Sequence, residues 1–145
     1  MTMRFIKKSI SAIGLVLATT LANIAFAEVA IIVHPSNAAT LSEGDISKIY
    51  LGKSKKFPGG ETALALDKPA GEANRVAFIK NVVGKSETQF KSYWSRLIFT
   101  GKGVPPKIIS SDAEVVNLVS RNPDMIRFVD ASSVSDGVKV IMTTK

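Results

Sequence analysis

The chain has no cysteine, one histidine and one tryptophan in 145 residues. Lack of cysteine excludes thiol catalysis, thiolate zinc sites and disulfide stapling, so the fold must stand on its apolar core. The lone His34 excludes a multi-histidine metal site or a histidine-rich catalytic centre. The first 27 positions have no acidic residue, whereas Arg4, Lys7 and Lys8 stand there ahead of a mostly apolar run, Ile10 to Ile24. Ala25-Phe26-Ala27 then gives the small-x-small pattern of a signal-peptidase site. Residues 1–27 are therefore expected to be a signal peptide, cleaved near Ala27, with a periplasmic or secreted destination. The apolar run is short for a bilayer span. No second run of spanning length follows, so no membrane span is expected in the mature chain.

Residues 28–145 suit one domain, large enough to bury roughly two-thirds of its unfolded surface. Loss of the three N-terminal cations takes the net charge from +7 to +4. That balance fits a partner with some negative charge. It does not indicate nucleic acid, because the basic residues are scattered and no recognition motif accompanies them.

Hydrophobic periodicity organises the rest. Val29 to His34 is a continuous apolar run closed by Pro35, as in a strand buried on both faces. Ser42-Glu43-Gly44-Asp45 can cap a short helix with Ile46, Ile49 and Tyr50 on one side, stopping near Gly52. Thr62 to Leu66 predicts a strand with Leu64 and Leu66 on one face. The following helix, ended by Gly84, places Val76, Ile79 and Val83 together, with Phe78 and Val82 beside them. Ser86 and Gln89 form a capping box before Phe90, Trp94, Leu97 and Ile98, and Ser111 and Glu114 a second before Val115, Leu118 and Val119. Pro105-Pro106 predicts an extended connector. Ile126 to Val129 and Val138 to Met142 predict two closing strands. The order β-α-β-α-α-α-β-β argues for an α/β fold, a small sheet covered by helices.

The chemistry-bearing candidate is the loop Asp67-Lys68-Pro69-Ala70-Gly71-Glu72-Ala73-Asn74-Arg75. It runs from a strand into a helix N-terminus, where free N–H groups and the helix dipole attract anions and Gly71 lets the backbone approach closely. Lys68 and Arg75 bracket it, and Asn74 can donate a hydrogen bond. Glu72 cuts the other way, because in the first helical turn it can satisfy the dipole itself. Lys53, Lys55 and Lys56 form a basic loop that solvation explains. Helical spacing makes Phe90, Tyr93 and Trp94 core residues rather than a stacking surface. His34, at a strand end, fits a lone hydrogen-bonded histidine. The pairs Asp112–Glu114 and Asp124–Asp130 lack a base, metal-ligand spacing or nucleophile turn. No catalytic residue, metal site or cofactor is therefore expected.

Three segments together resemble the phosphate-binding component of bacterial ABC transporters, a branch of the periplasmic binding protein superfamily. "HPSN" with "LSEGDISKIYLGKSKKFPGG" is similar to the family's Asn-Pro-x-Asn, its short helix ending in Ile-Phe-x-Gly-Lys, and a following aromatic and Gly. "FKSYWSRLIFTGKGVPPKIISSDAEVVNLVSRNPDMIRFVD" is similar to its Trp helix, Phe-x-Gly-Lys, Ala-Glu-Val-Val helix and Ile-Gly-Tyr-Val strand. Between them, Lys68 stands at the Arg of the family's Arg-x-x-Gly-Ser-Gly-Thr-Arg phosphate loop, Gly71 and Arg75 match, and Glu72-Ala73-Asn74 replace Ser-Gly-Thr. Arg127 replaces the Gly of the closing strand. The resemblance implies an α/β domain like one lobe of a type 2 periplasmic binding protein, with no enzyme activity. It implies a small phosphate-like oxyanion on Lys68, Gly71, Asn74, Arg75 and Arg127, and a role in phosphate uptake or sensing. The alternative is a periplasmic interaction module that has lost its anion and works through a protein partner or a homodimer.

Overall fold

The computed structural model describes residues 28–145, so the expected signal peptide lies outside the described residues. The strands are β1 (Val29–Val33), β2 (Leu64–Asp67), β3 (Lys107–Ile108), β4 (Met125–Asp130) and β5 (Lys139–Thr144). Between them run α1 (Glu43–Tyr50), α2 (Ala73–Phe78) continued by a π-helical turn (Ile79–Val83), α3 (Glu87–Phe99) and α4 (Asp112–Val119). Among the described residues they build one mixed sheet of order β3-β2-β4-β1-β5. β1 lies antiparallel between β4 and β5, with Ile31 opposite Phe128 and a bulge against β5 at Ile31/Ile32. β2 runs parallel to both β3 and β4.

All five residues of β1 are buried. Val29, Ile31 and Val33 join Ile46 and Tyr50 of α1, Phe78 of α2, and Phe90 and Trp94 of α3 in one apolar cluster. Ala30 and Ile32 face the other way, toward Val115, Val116 and Val119 of α4. The unbroken apolar run of β1 thus reports a sheet covered on both faces, as its sequence predicts.

The local punctuation is chemical. Ser42 and Ser86 each form a full capping box, with Asp45 and Gln89. Ser111 accepts from the Glu114 amide without the reciprocal bond, so the second box expected there is only half formed. Gly52 adopts φ +68°, and a Cβ there would meet the Trp94 ring at 2.8 Å. Glycine is needed at that turn for both reasons.

Two expectations are corrected. The connector after Pro105-Pro106 contains a strand, β3, whose two exposed residues have no alternation to betray them and gain strand geometry only by pairing with β2. Val76, expected on the buried face of its helix, is 41% exposed. The π turn at Ile79–Val83 adds a residue to the helical repeat, so Val76 turns away from the core that Phe78, Ile79, Val82 and Val83 fill as expected.

The sheet opens where the candidate loop begins. β2 pairs with β4 only at Leu64 and Ala65, then with β3 at Leu66 and Asp67. The Tyr50 hydroxyl enters this divergence, donating to the Leu66 carbonyl at 2.8 Å with the Ile126 carbonyl 3.3 Å away. Its ring packs edge-on against Phe78, which stacks on Phe128 with centroids 4.2 Å apart. Burial drives the Tyr50 pKa well up, so the hydroxyl stays a donor. Tyr50→Phe should leave those carbonyls without this donor and cost about 1–3 kcal/mol in chemical denaturation. A loss below a few tenths of a kcal/mol would show that water serves the opening equally well.

Candidate functional site

Asp67 ends β2 at the opening, and residues 68–72 carry the chain over to α2. Gly71 takes φ +89° with open space around it, so the backbone conformation rather than crowding requires glycine. Glu72 is the N-cap residue of α2, but its side chain makes no capping hydrogen bond. It stands 3.6 Å from Lys68 Nζ, so at the helix N-terminus it is also ion-paired to the loop's own lysine.

The expected cations are all here, and most are engaged by the chain's own carboxylates. Arg75 is held from two sides. Its Nε and Nη2 donate to Asp67 at 3.0 and 3.1 Å, a bidentate fork, and its Nη1 donates to Glu87 at 2.6 Å. The guanidinium also lies 5.4 Å from the centroid of the Phe90 ring. Burial works against the charge on Arg75, yet hydrogen bonds and charges from Asp67 and Glu87 outweigh it and hold its pKa above the ordinary value. The Glu87 oxygen that meets Arg75 also accepts the Gly71 backbone N–H at 3.1 Å. A carboxylate from the first turn of α3 therefore takes the donors that the loop would offer an anion.

Lys68 and Arg127 meet around a second acid, Asp112, the first residue of α4. Lys68 Nζ is 2.6 Å from Asp112 Oδ1 and Arg127 Nη2 is 3.6 Å from the same atom, while Asp112 Oδ2 accepts the Asp130 amide. Arg127 projects from β4 on the α4 side of the sheet and is fully buried, with no hydrogen-bond partner for Nε, Nη1 or Nη2. Burial pushes its pKa down, against the raising pull of the charges around it, Asp112, Asp67 and Glu72 among them. Asn74 stands half-buried in the first turn of α2.

The structure thus brings Lys68, Gly71, Arg75 and Arg127 into one neighbourhood and adds three residues that sequence reasoning missed: Asp67, Glu87 and Asp112. Three cations face four carboxylates, counting Glu72. Glu87 and Asp112 both open helices, where an acid reads as a dipole partner, and only the fold turns them toward the loop.

The other candidates resolve as core or surface. Trp94 is buried and donates to the Tyr50 carbonyl at 3.2 Å. Lys53, Lys55 and Lys56 are exposed. His34 accepts the Ser36 amide and pairs with its hydroxyl, a local turn. Among the described residues no cluster of three His, Cys, Asp or Glu can hold a metal ion, and no helix is long and apolar enough to cross a membrane.

The architecture matches solved phosphate-transport proteins. A putative phosphate ABC transporter substrate-binding protein with bound phosphate from Clostridium perfringens superposes with a TM-score of 0.62 at 24% identity, over 80% of this chain and 45% of that one. An ABC-type phosphate transport receptor from Vibrio cholerae gives 0.60 at 20% identity, over 80% and 46%. PstS from Borrelia burgdorferi gives 0.56 at 15%, over 80% and 47%. No family model matches the sequence, and comparison with curated proteins finds no match. The fold is therefore the α/β fold of phosphate-type solute-binding proteins, as one lobe, and the chain spans somewhat under half the length of these structures.

The Glu87 contacts carry a pH signature. Burial raises the Glu87 pKa, but the Gly71 amide and Arg75 lower it by more, so the net shift is downward. A carboxylate depressed on folding contributes stability above the ordinary glutamate range, and that stability is lost as pH falls through the depressed value. Glu87→Gln should cost about 1 kcal/mol at neutral pH and flatten the acid limb of stability against pH. An unchanged acid limb would show that the Glu87 contacts add nothing in solution.

Proposed function

We propose that this chain is an exported, non-enzymatic solute-binding-type module that binds phosphate or a related small oxyanion weakly, in the service of phosphate uptake or sensing. One observation carries this. Lys68, Arg75 and Arg127 converge on the Gly71 loop at the opening of the sheet, within a fold shared with phosphate-transport proteins. The N-terminal sequence pattern supports export.

The same geometry sets the strength. An entering oxyanion must take Arg75 and Gly71 from Glu87, or Lys68 and Arg127 from Asp112. Two or three charge-assisted hydrogen bonds contribute about 1.5–3 kcal/mol each. A carboxylate at ~4 Å, such as Glu72, subtracts about 1–4 kcal/mol. The balance corresponds to dissociation constants of about a millimolar.

A second reading is favoured by the carboxylates themselves. With Glu87 and Asp112 in the anion's place, the module keeps its shape without ligand and can act through a protein partner or a homodimer.

Titration calorimetry with phosphate at neutral pH separates the two. The oxyanion reading expects millimolar binding, strengthened about tenfold or more by Glu72→Ser. It also expects Arg127→Met to weaken binding by about tenfold while leaving stability unchanged or higher, because a buried cation without hydrogen bonds is replaced by an apolar chain and Asp112 keeps Lys68. No heat with wild type or Glu72→Ser at millimolar phosphate would discard the oxyanion reading and leave the interaction module.

A further inference from the structure

The stretch between Glu87 and Asp112 carries Lys91, Arg96, Lys102 and Lys107 and no acid, a local +4 that equals the net charge of residues 28–145. All four cations are exposed. Among them stand the largest exposed apolar side chains of the described residues: Phe99 at 93%, Val104 at 87%, Ile108 at 58% and Ile98 at 52%. The fold gathers part of this set. Ile98 and Ile108 line one shallow groove with Lys91, and Val104 lines another with Lys55 and Lys102. The two grooves share Trp94, Pro105 and Pro106, so the surface is continuous. Asp67, Arg75 and Glu87 also line the first groove, with both carboxylates paired to Arg75.

One exposed apolar residue needs no partner, but a contiguous group of them beside a basic surface marks an interaction site. Phe99 lines neither groove; it projects beside them from the last residue of α3. A groove built for a peptide would wall its main apolar anchor, whereas a bilayer accepts one from a prominence and draws the surrounding lysines to its headgroups. From this arrangement we infer that the surface formed by the end of α3, the Pro105-Pro106 connector and β3 is a peripheral docking face for an anionic phospholipid bilayer. Phe99 and Val104 enter the interface, and Lys55, Lys91 and Lys102, which line the two grooves, meet the lipid phosphates. Neither apolar insertion nor three or four cations alone gives stable attachment, and this face supplies both. The first groove reaches Arg75, but the lysines and apolar side chains that dock are not those of the cation cluster at Gly71, so docking does not require oxyanion binding there.

Co-sedimentation of the full chain with vesicles of phosphatidylglycerol, and in parallel of phosphatidylcholine, tests this. Wild type should pellet with the anionic vesicles, and less so as salt is raised. Phe99→Ser, at a position outside the core, should lower partitioning by about tenfold. Lys55→Gln/Lys91→Gln/Lys102→Gln should lower it by about a hundredfold and bring it to the level seen on phosphatidylcholine. Circular dichroism confirms that the variants are folded. These differences separate the face from the apolar N-terminal segment, whose binding neither variant would alter. Binding that survives both variants, or that loses its salt dependence without losing affinity when Phe99 is replaced, overturns the proposal. So does a wild-type chain left in the supernatant, the result expected if an acidic protein is the true partner.

Discussion

The arrangement of the candidate site depends on Arg75, held between Asp67 at the end of β2 and Glu87 at the start of α3. This buried guanidinium joins the sheet to two helices and fixes where the loop 68–72 can run. Because Glu87 also accepts the Gly71 amide, the positive edge of the loop is satisfied from within. Charge-assisted bonds of this kind outweigh exposed ion pairs, since water competes with them less. A ligand at the loop therefore exchanges with a carboxylate already in place, and its affinity is a difference between two similar interactions.

Arg127 is the counterpoint. It is fully buried near Asp112, and its three nitrogens lack hydrogen bonds. A buried cation without hydrogen bonds weakens a fold that could carry an apolar residue there instead. Arg75 and Lys68 stabilise the structure around them, whereas Arg127 has donors to spare. That contrast makes Arg127 the cation with most to gain from an entering anion.

Much of this was legible in the sequence. The covered sheet showed in Val29 to Val33, the helix starts in Ser42 and Ser86, and the loop in its Gly and flanking cations. β3 was not legible, because two exposed residues leave no periodic trace. The exposure of Val76 was hidden as well, since an α-helical period cannot anticipate a π turn. The deeper gap was the partnering of charges. Glu87 and Asp112 lie far along the chain from the loop and stand where helix-opening acids are ordinary, so only tertiary packing shows that they point at Arg75 and Lys68. A basic surface rich in exposed apolar residues was equally hidden, because sequence shows charge but not which side chains stand out of the core.

The most direct test of the self-occupied loop is NMR of the Gly71 amide and the Arg75 Nη1 protons, the two donors to Glu87, as pH is lowered. If Glu87 holds both groups, their resonances should titrate together, with one inflection below the ordinary glutamate range. A Gly71 amide that does not titrate, or that follows an ordinary exposed carboxylate while Arg75 stays still, would contradict the account.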